Sequence, residues 1–241
     1  MIQIKLNAID STNDYLKKNS GLDQLPNFTV VTAESQTNGR GQHGATWVSE
    51  PGKNLITSIL VRDFYKDSFA PFELIIAVSV SIHEALQQFS IPELAIKWPN
   101  DIMSGNKKIG GILIENIHKS DKRIFSIVGV GLNVNQIQFV GFPQASSLQR
   151  ICAKEFDKQE LLEKIISVLE PKLLDWENQR VSSMEFYQNC LFKKGIPAQF
   201  KLKDSSFTGV ILGVDQDGKL LLTNEFNQNM RFDLKEIQLV Y

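Results

Sequence analysis

The spacing of apolar residues in the first 190 positions predicts a chain that mixes strands and helices. Strands are predicted where apolar and β-branched residues alternate or form short runs, at 2–6, 28–35, 54–61, 107–117 and 123–134. Helices are predicted where apolar residues recur every three or four positions, from the cap residues 10–13 to Lys18, at 71–89, at 158–178 and at about 181–191. The strands at 107–117 and 123–134 are apolar at nearly every position, so we expect both of their faces to be covered. This pattern predicts an α+β fold.

Beyond residue 190 the pattern changes to short strands separated by turn residues. The predicted strands are PAQFKLK, FTGVILGV, KLLLTN, NMRFDL and EIQLV, and the turns between them include DSS, DQDG and NEFNQN. Closely spaced strands of this kind predict a small SH3-like β-barrel with an apolar core of its own. We therefore expect a large domain over residues 1–190 and a barrel over residues 191–241.

The composition and the charge are those of a globular enzyme. Hydrophobic residues make up 42% and charged residues 22%, and 26 Lys and Arg against 27 Asp and Glu give a net charge of -1. A nucleic-acid binder would carry a basic excess, so we expect no DNA partner. The most apolar long run, 71–89, contains two glutamates and a histidine and does not fit a membrane span. With no signal peptide and two distant cysteines, Cys152 and Cys190, the chain is expected to be cytoplasmic.

A glycine-rich loop at residues 39–44 is the first candidate for chemistry. Its sequence, GRGQHG, matches the G-x-G-x-x-G pattern of dinucleotide-binding proteins. That fingerprint requires a helix directly after the glycines, whereas residues 45–52 read ATWVSEPG and are not helical. Two interpretations remain: a structural loop, or a mobile lid in which Arg40 and the backbone approach an anion.

Three further segments combine small residues with polar or charged ones. KWPND at 97–101 follows the strand-like run ELAIK, so Lys97 lies either beside a cleft or on the surface before a turn. KKIGG at 107–111 and GVGLNVN at 129–135 place glycines inside apolar strands. Glycine at such positions indicates that a ligand or another backbone segment approaches closely.

Taken together, these segments resemble those of the biotin protein ligases. DSTN (10–13), AESQTNGRGQHG…W (33–47), KWPND (97–101), KKIGGILIE (107–115) and GVGLNVN (129–135) occur in the order and spacing of that family. The resemblance covers residues 10 to about 135, and the predicted barrel also matches the family's architecture. It implies a mixed-sheet biotin/lipoate ligase catalytic domain followed by an SH3-like barrel. Because DSTN begins at residue 10, we expect the short form, without an N-terminal DNA-binding domain.

The resemblance implies a two-step reaction. Biotin is joined to ATP to give biotinyl-5′-AMP and pyrophosphate, and the biotinyl group then passes to a lysine of the biotin carboxyl carrier domain of a carboxylase. Mg²⁺ is expected to arrive with ATP, with no metal site built by the protein alone. Lipoate or octanoate transfer on the same fold, and a degenerate ligase that only binds its carrier domain, stay open as alternatives. A homodimer is also left open.

The resemblance further implies a set of site residues. Biotin would be bound by Ser11, Thr12, Asn13, Gln36, Arg40, Gly41, Gln42, Lys97 and Gly111, and ATP or the adenylate by Trp47, Asn100, Asp101, Lys108 and Asn133. Lys97 and Arg40 would be catalytic, because the carboxylate and the α-phosphate repel each other by about 1 kcal/mol at ~4 Å even in water. Many family members have further basic residues where this chain has Gln42 and His43, which shifts charge neutralisation toward Lys97.

Overall fold

The fold is described by a computed structural model of residues 2–18, 22–65 and 70–241, in which the side chain of His43 is not described. The strands are β1 (Gln3–Ile9), β2 (Val30–Gln36), β3 (Leu55–Arg62), β4 (Leu94–Lys97), β5 (Asp101–Ser104), β6 (Lys107–His118), β7 (Ile124–Leu132), β8 (Pro197–Lys201), β9 (Ser206–Val214), β10 (Leu220–Asn224), β11 (Asn229–Phe232) and β12 (Gln238–Val240). The α-helices are α1 (Thr12–Lys18), α2 (Pro71–Gln87), α3 (Leu148–Cys152), α4 (Lys158–Leu174) and α5 (Trp176–Asn189), and one turn of 3₁₀ helix spans Gln42–Gly44 in the glycine-rich loop.

A seven-stranded sheet in the order β1-β2-β3-β7-β6-β5-β4 forms the centre of the molecule. β1 and β2 are parallel and the other neighbours are antiparallel, so the predicted mixed sheet is confirmed. α2 and α4 pack on one face of this sheet and share its main apolar core. α1 packs on the other face with a smaller apolar cluster. No helix among the described residues is long and apolar enough to cross a membrane.

A second, antiparallel sheet follows α5 in the order β11-β10-β9-β8-β12. All five of its strands were predicted from the short apolar runs. The expectation of a separate core is wrong, because Phe200, Ile211 and Leu220 belong to the same apolar cluster as α2 and α5. The two sheets therefore pack together through one continuous core. The domain division at residues 190 and 191 stays a prediction.

Three predictions about local structure need correction. The single helix at 158–178 is two helices that break at Asp175, and α5 begins at Trp176. The apolar period continues across the break because both helices contact α2, so the pattern alone conceals it. The strand β5 and the short helix α3 were not predicted. β6 is not covered on both faces, since alternate residues along it are only half-buried.

Candidate active site

The α1 face of the central sheet changes from large to small residues along β7. Phe125 and Ile127 are buried in the cluster that includes Leu16 of α1. Gly129 and Gly131 follow on the same face, because side chains alternate along a strand. α1 therefore covers the first part of β7, and the glycines leave open space beyond the helix.

The glycines of this region allow two side chains to approach the sheet. Gly111 and Gly131 are register partners on β6 and β7. A Cβ atom at Gly131 would lie 2.6 Å from the ring of Trp47, and one at Gly129 would lie 2.5 Å from Oδ1 of Asn13. Real Cβ atoms do not make contacts this short, so the positions of Trp47 and Asn13 depend on these glycines.

A narrow cavity of about 60 Å³ lies over the glycines. The charged residues among those that line it, Arg40 and Lys108, are both cationic. Its walls come from the start of α1, the end of β2, the glycine-rich loop and strands of the central sheet. The predicted site residues in its wall are Ser11, Thr12, Asn13, Gln36, Arg40, Gly41, Gln42, Trp47, Asn100, Lys108 and Gly111.

One end of this cavity consists of buried polar side chains that bond to one another. The backbone N–H of Thr12 donates to Oε1 of Gln36 at 2.8 Å, and the Thr12 hydroxyl lies 3.1 Å from the same oxygen. The hydroxyl of Ser58, on β3, lies 2.7 Å from the Thr12 hydroxyl and 2.5 Å from Oδ1 of Asn13. Thr12, Asn13 and Ser58 are buried. These groups hold one another in place, so the polar end is fixed before any ligand binds.

Two buried N–H donors in the same wall have no hydrogen-bond partner among the described residues. They are Nε of Arg40 and Nε1 of Trp47. Leaving a buried donor unpaired costs roughly 1–3 kcal/mol, and such donors in a cavity favour a ligand that carries acceptors. The outer nitrogen Nη2 of Arg40 is paired, with Asp14 at 2.6 Å and Glu115 at 3.0 Å.

A second, larger cavity of about 460 Å³ lies next to the first and is built from both sheets. Lys97, Lys108 and Lys235 line it, and Asp101 is the one carboxylate among its described lining residues. Asp101 lies between two of these lysines, 2.6 Å from Nζ of Lys108 and 3.4 Å from Nζ of Lys97. The excess of positive charge favours an anionic ligand in this cavity.

The second sheet, α5 and the last residue of the chain contact the segment that carries Lys97. Nε1 of Trp98 donates to the carbonyl of Gly218, in the turn between β9 and β10, at 2.9 Å. The hydroxyl of Tyr187 donates to the carbonyl of Pro99 at 2.9 Å, and burial raises the pKa of Tyr187, which stays a neutral donor. Nζ of Lys97 lies 4.9 Å from the centre of the Tyr241 ring. The geometry of this wall thus depends on how the two sheets pack.

Three predicted site residues do not line the narrow cavity. Lys97 and Asp101 line the larger cavity only. Lys108 is the lysine that lines both cavities. Asn133 lies outside the walls of both cavities, buried, with its Nδ2 donating to the carbonyl of Ser146 at 3.0 Å. Its role in binding ATP or the adenylate, implied by the resemblance, stays a prediction.

Several residues of the site were missed from the sequence. Ser58 lies in the apolar run NLITSILV and Glu115 ends the motif KKIGGILIE, and both contact Asn13. A buried hydroxyl in an apolar strand, and a carboxylate at the end of one, were the available signals. Tyr241 gave none, because its position depends on the packing of the second sheet.

Comparison with known proteins places the central sheet and its cavity in one family. Residues 6–133 match the family described as the biotin/lipoate A/B protein ligase family. The chain is 30% identical over 210 residues to the bifunctional ligase/repressor BirA of Bacillus subtilis, which covers 84% of this chain and 64% of that protein. It therefore spans less than two thirds of the length of that relative.

Two further relatives match nearly their whole length. The chain is 28% identical over 227 residues to the biotin–[acetyl-CoA-carboxylase] ligase of Paracoccus denitrificans, covering 88% of this chain and 90% of that protein. The structure of the biotin protein ligase from Aquifex aeolicus in complex with biotin and ATP is similar with a TM-score of 0.81 at 26% identity, covering 99% of this chain and 98% of that one. Both sheets, and not the central one alone, thus have a counterpart in a solved structure.

Proposed function

This chain belongs to the biotin/lipoate A/B protein ligase family, and from that premise we propose that it is a biotin protein ligase. It activates biotin with ATP to biotinyl-5′-AMP and transfers the biotinyl group to a lysine of a biotin carboxyl carrier domain. The relatives named as biotin ligases, and the similar structure that holds biotin and ATP, support this assignment. The protein partner is a carrier domain of a carboxylase. A homodimer and a cytoplasmic location stay predictions.

The observation that carries the choice of biotin over lipoate is the polar end of the narrow cavity. Biotin's ureido ring has one carbonyl acceptor and two N–H donors, and the buried Thr12 and Asn13 and the half-buried Gln36 offer matching groups. Lipoyl and octanoyl chains have no such groups. Bound here, they would remove water from the polar end without replacing its hydrogen bonds, at roughly 1–3 kcal/mol for each group. A site built to bond a polar ligand rejects an analogue that lacks the polar atoms.

The other end of the cavity suits the carboxylate. With the ureido ring against α1, the acid end of biotin would lie toward Lys108 and toward the unpaired N–H group of Trp47, whose ring centre is 5.9 Å from Nζ of Lys108. A carboxylate oxygen then attacks the α-phosphorus of ATP in the larger cavity, and the bond to pyrophosphate breaks. Two anions meet in this step, so fixed cations lower its barrier. Lys108 reaches both cavities and is the main cation in our proposal, with Lys97 acting on the phosphates.

Mg²⁺ would come with ATP. No group of three His, Cys, Asp or Glu side chains that could hold a metal occurs among the described residues. Asp101 offers a single carboxylate in the larger cavity, which fits a magnesium ion bound mainly by phosphates and water. When bound, the ion would neutralise phosphate charge. Asn100 holds the wall in place, since its Nδ2 donates to the carbonyl of Ile112 at 2.6 Å.

Closure of the glycine-rich loop would protect the intermediate. With the Trp47 ring resting on the glycines, the narrow cavity measures about 60 Å³, whereas ligand pockets usually measure about 300–1,000 Å³. We therefore infer that the loop that carries Trp47 shifts outward when biotin enters. Its return would exclude water until the amine of the carrier lysine attacks the acyl carbon and AMP leaves.

A ligation assay tests the proposal. The purified chain is mixed with ATP, Mg²⁺, biotin and a biotin carboxyl carrier domain, and the carrier is probed with labelled streptavidin. We expect labelling that requires ATP and the acceptor lysine, together with biotin-dependent release of pyrophosphate. Matched reactions with lipoate or octanoate, followed by mass spectrometry of the carrier, should show no acylation. Acylation by lipoate or octanoate without biotinylation, or carrier binding without pyrophosphate release, would contradict the proposal.

A further inference from the structure

Glu115 lies behind the polar end of the narrow cavity and contacts the side chain of Asn13. One carboxylate oxygen, Oε2, accepts from Nδ2 of Asn13 at 2.8 Å. The other, Oε1, accepts from Nζ of Lys17 at 2.9 Å. Glu115 is on β6 while Asn13 and Lys17 are on α1, so this contact joins the helix to the sheet directly beside the cavity.

The carboxylate of Glu115 is ionised at neutral pH. Burial raises its pKa, but the hydrogen bonds from Lys17 and Asn13 and the charge of Arg40 outweigh burial, so the pKa lies below its ordinary value. An ionised carboxylate has no proton to donate and can only accept hydrogen bonds. The group of Asn13 that faces Glu115 must therefore be its NH₂.

The rest of the surroundings of Asn13 agree with this orientation. Its Nδ2 also lies 3.5 Å from the carbonyl of Leu113, a second group that can only accept. Its Oδ1 lies 2.5 Å from the Ser58 hydroxyl, which can donate. The amide oxygen has two lone pairs, so after accepting from Ser58 it can accept one more hydrogen bond. Rotating the amide by 180° would bring its oxygen against two acceptors and lose these bonds.

We propose that Glu115 is a positioning residue that fixes the amide of Asn13 so that the cavity presents an acceptor to a ureido N–H of biotin. The inference rests on the proposed function, because it assigns a specificity role within the biotin site. Neutralising Glu115 would let the Asn13 amide adopt both orientations. In the rotated state the NH₂ group of Asn13 would point at the ureido N–H of biotin. Both groups are donors, so biotin would lose this hydrogen bond and the two groups would repel each other.

A second contact of Glu115 has to be separated from this role. Its Oε2 also accepts from Nη2 of Arg40 at 3.0 Å, so a change at Glu115 also loosens the glycine-rich loop. Asp14 provides the control, because it holds the same Arg40 nitrogen at 2.6 Å and has no hydrogen bond to Asn13. Asp14→Asn removes a charge beside Arg40 and leaves the Glu115–Asn13 contact intact. Glu115→Gln removes the charge beside Arg40 and also gives Asn13 a neighbouring amide that can either accept or donate.

The experiment compares biotin with biotin methylated on one or the other ureido nitrogen. Dissociation constants are measured by calorimetry for the wild type, Glu115→Gln and Asp14→Asn, and biotin KM and kcat are measured by pyrophosphate release. We expect Glu115→Gln to raise the biotin KM by about tenfold while kcat changes by less than about threefold. The methylation penalty is the dissociation constant of the methylated biotin divided by that of biotin. For the nitrogen that faces Asn13, this ratio should fall by at least about fivefold in Glu115→Gln and stay as in the wild type in Asp14→Asn.

Several other outcomes would contradict the proposed role of Glu115. An unchanged penalty in Glu115→Gln, or an equal fall in both variants, would overturn the role of Glu115 at Asn13. A fall in kcat and in melting temperature without a change in biotin KM would show a purely structural role and would also overturn it. If Glu115→Gln does not fold, Lys17→Gln replaces it, with a fall of about twofold expected and no fall contradicting the inference. Wild type that binds no biotin contradicts the proposed function itself.

Discussion

The two neighbouring cavities of the site differ in how they are built. The narrow one has walls from the central sheet, α1 and the glycine-rich loop, and its polar groups are already bonded to one another. The larger one has walls from both sheets, and its described lining residues include three lysines and one carboxylate. The polar end of one cavity is thus fixed within a single part of the fold, and the other cavity exists only where two parts meet.

In the proposed function, this difference would allow one site to bind two unlike substrates. A small, uncharged ring is selected by hydrogen bonds whose directions are set in advance, which requires a rigid frame. A triphosphate is bound mainly by charge, which tolerates a wider space and side chains that adjust. The fold places the rigid frame on β3, β6 and β7 and the adjustable charges where the second sheet packs. Changes in the packing of the sheets should therefore affect ATP more than biotin.

The largest expected effect is on the rate of adenylate formation, and it distinguishes Lys108, which lines both cavities, from Lys97, which lines only the larger one. We expect Lys108→Ala to slow adenylate formation by at least about 100-fold, because it removes a cation from the point where carboxylate and α-phosphate meet. Lys97→Ala should slow it by about tenfold, since Lys97 lines only the wall of the larger cavity. The measurement is biotin-dependent pyrophosphate release in a single turnover.

Lys107→Ala is the matched control for this pair. Nζ of Lys107 donates to the carbonyl of Pro143 at the surface, and the residue lines neither cavity. Its rate should stay within about twofold of wild type, as for most surface substitutions. If Lys97→Ala were slower than Lys108→Ala, the assignment of the main cation to Lys108 would be wrong.

A smaller effect is expected from loosening the contact between the sheets. Trp98→Phe keeps the aromatic ring but removes the hydrogen bond to the carbonyl of Gly218, a loss of about 1 kcal/mol. We expect the KM for ATP to rise by about fivefold while the dissociation constant for biotin stays within about twofold. Steady-state kinetics and calorimetry give the two values. An equal loss of affinity for both ligands would contradict the proposed independence of the narrow cavity.

The smallest expected effect is an acid sensitivity on the side of the larger cavity. Nε2 of His83, on α2, donates to the carbonyl of Leu94 at the start of β4, and its buried Nδ1 has no partner among the described residues. Burial lowers the pKa of His83 below its ordinary 6.5, against smaller opposing effects of the Leu94 hydrogen bond and the charge of Glu84. The neutral ring is thus the folded form.

Stability should therefore fall as the pH drops below 6.5, because the unfolded chain binds a proton that the folded ring resists. The loss is at most about 1.4 kcal/mol per pH unit. His83→Gln keeps a donor for Leu94 and removes the titration. Urea unfolding at pH 7.5 and 5.5, values of about one unit on either side of the ordinary pKa, should show a larger drop for wild type than for His83→Gln. Equal drops would exclude His83 as the cause.

Local patterns in the sequence predicted most elements of both sheets. The runs around Phe200, Ile211 and Leu222 each became a strand, because turn residues separate them clearly. β5 was missed because DIMS is short and lies directly beside the KWPND motif, where its pairing with β4 and β6 is decided by the sheet. The break at Asp175 was missed because the apolar face continues through Trp176 into α5.

The site was predicted where its residues form local motifs and missed where it depends on register. Ser11, Thr12 and Asn13 are adjacent in sequence, and the narrow cavity contains all three. The contacts of Asn13 with Ser58 and Glu115 join residues 45 and 102 positions apart. Only the pairing of β3, β6 and β7 brings them together. Lys108 lines both cavities and Lys97 only the larger one, and this difference likewise follows from the fold and not from the motifs.

The most direct test of this account is a crystal structure of the chain with a non-hydrolysable analogue of biotinyl-5′-AMP. We expect the ureido ring to lie in the narrow cavity with one N–H on Oδ1 of Asn13, and the Glu115–Asn13 hydrogen bond to be intact. The acyl phosphate should lie beside Lys108, and the nucleotide should lie in the larger cavity between the two sheets. A ureido ring bound elsewhere, or an adenylate that makes no contact with the wall shared by the two sheets, would contradict it.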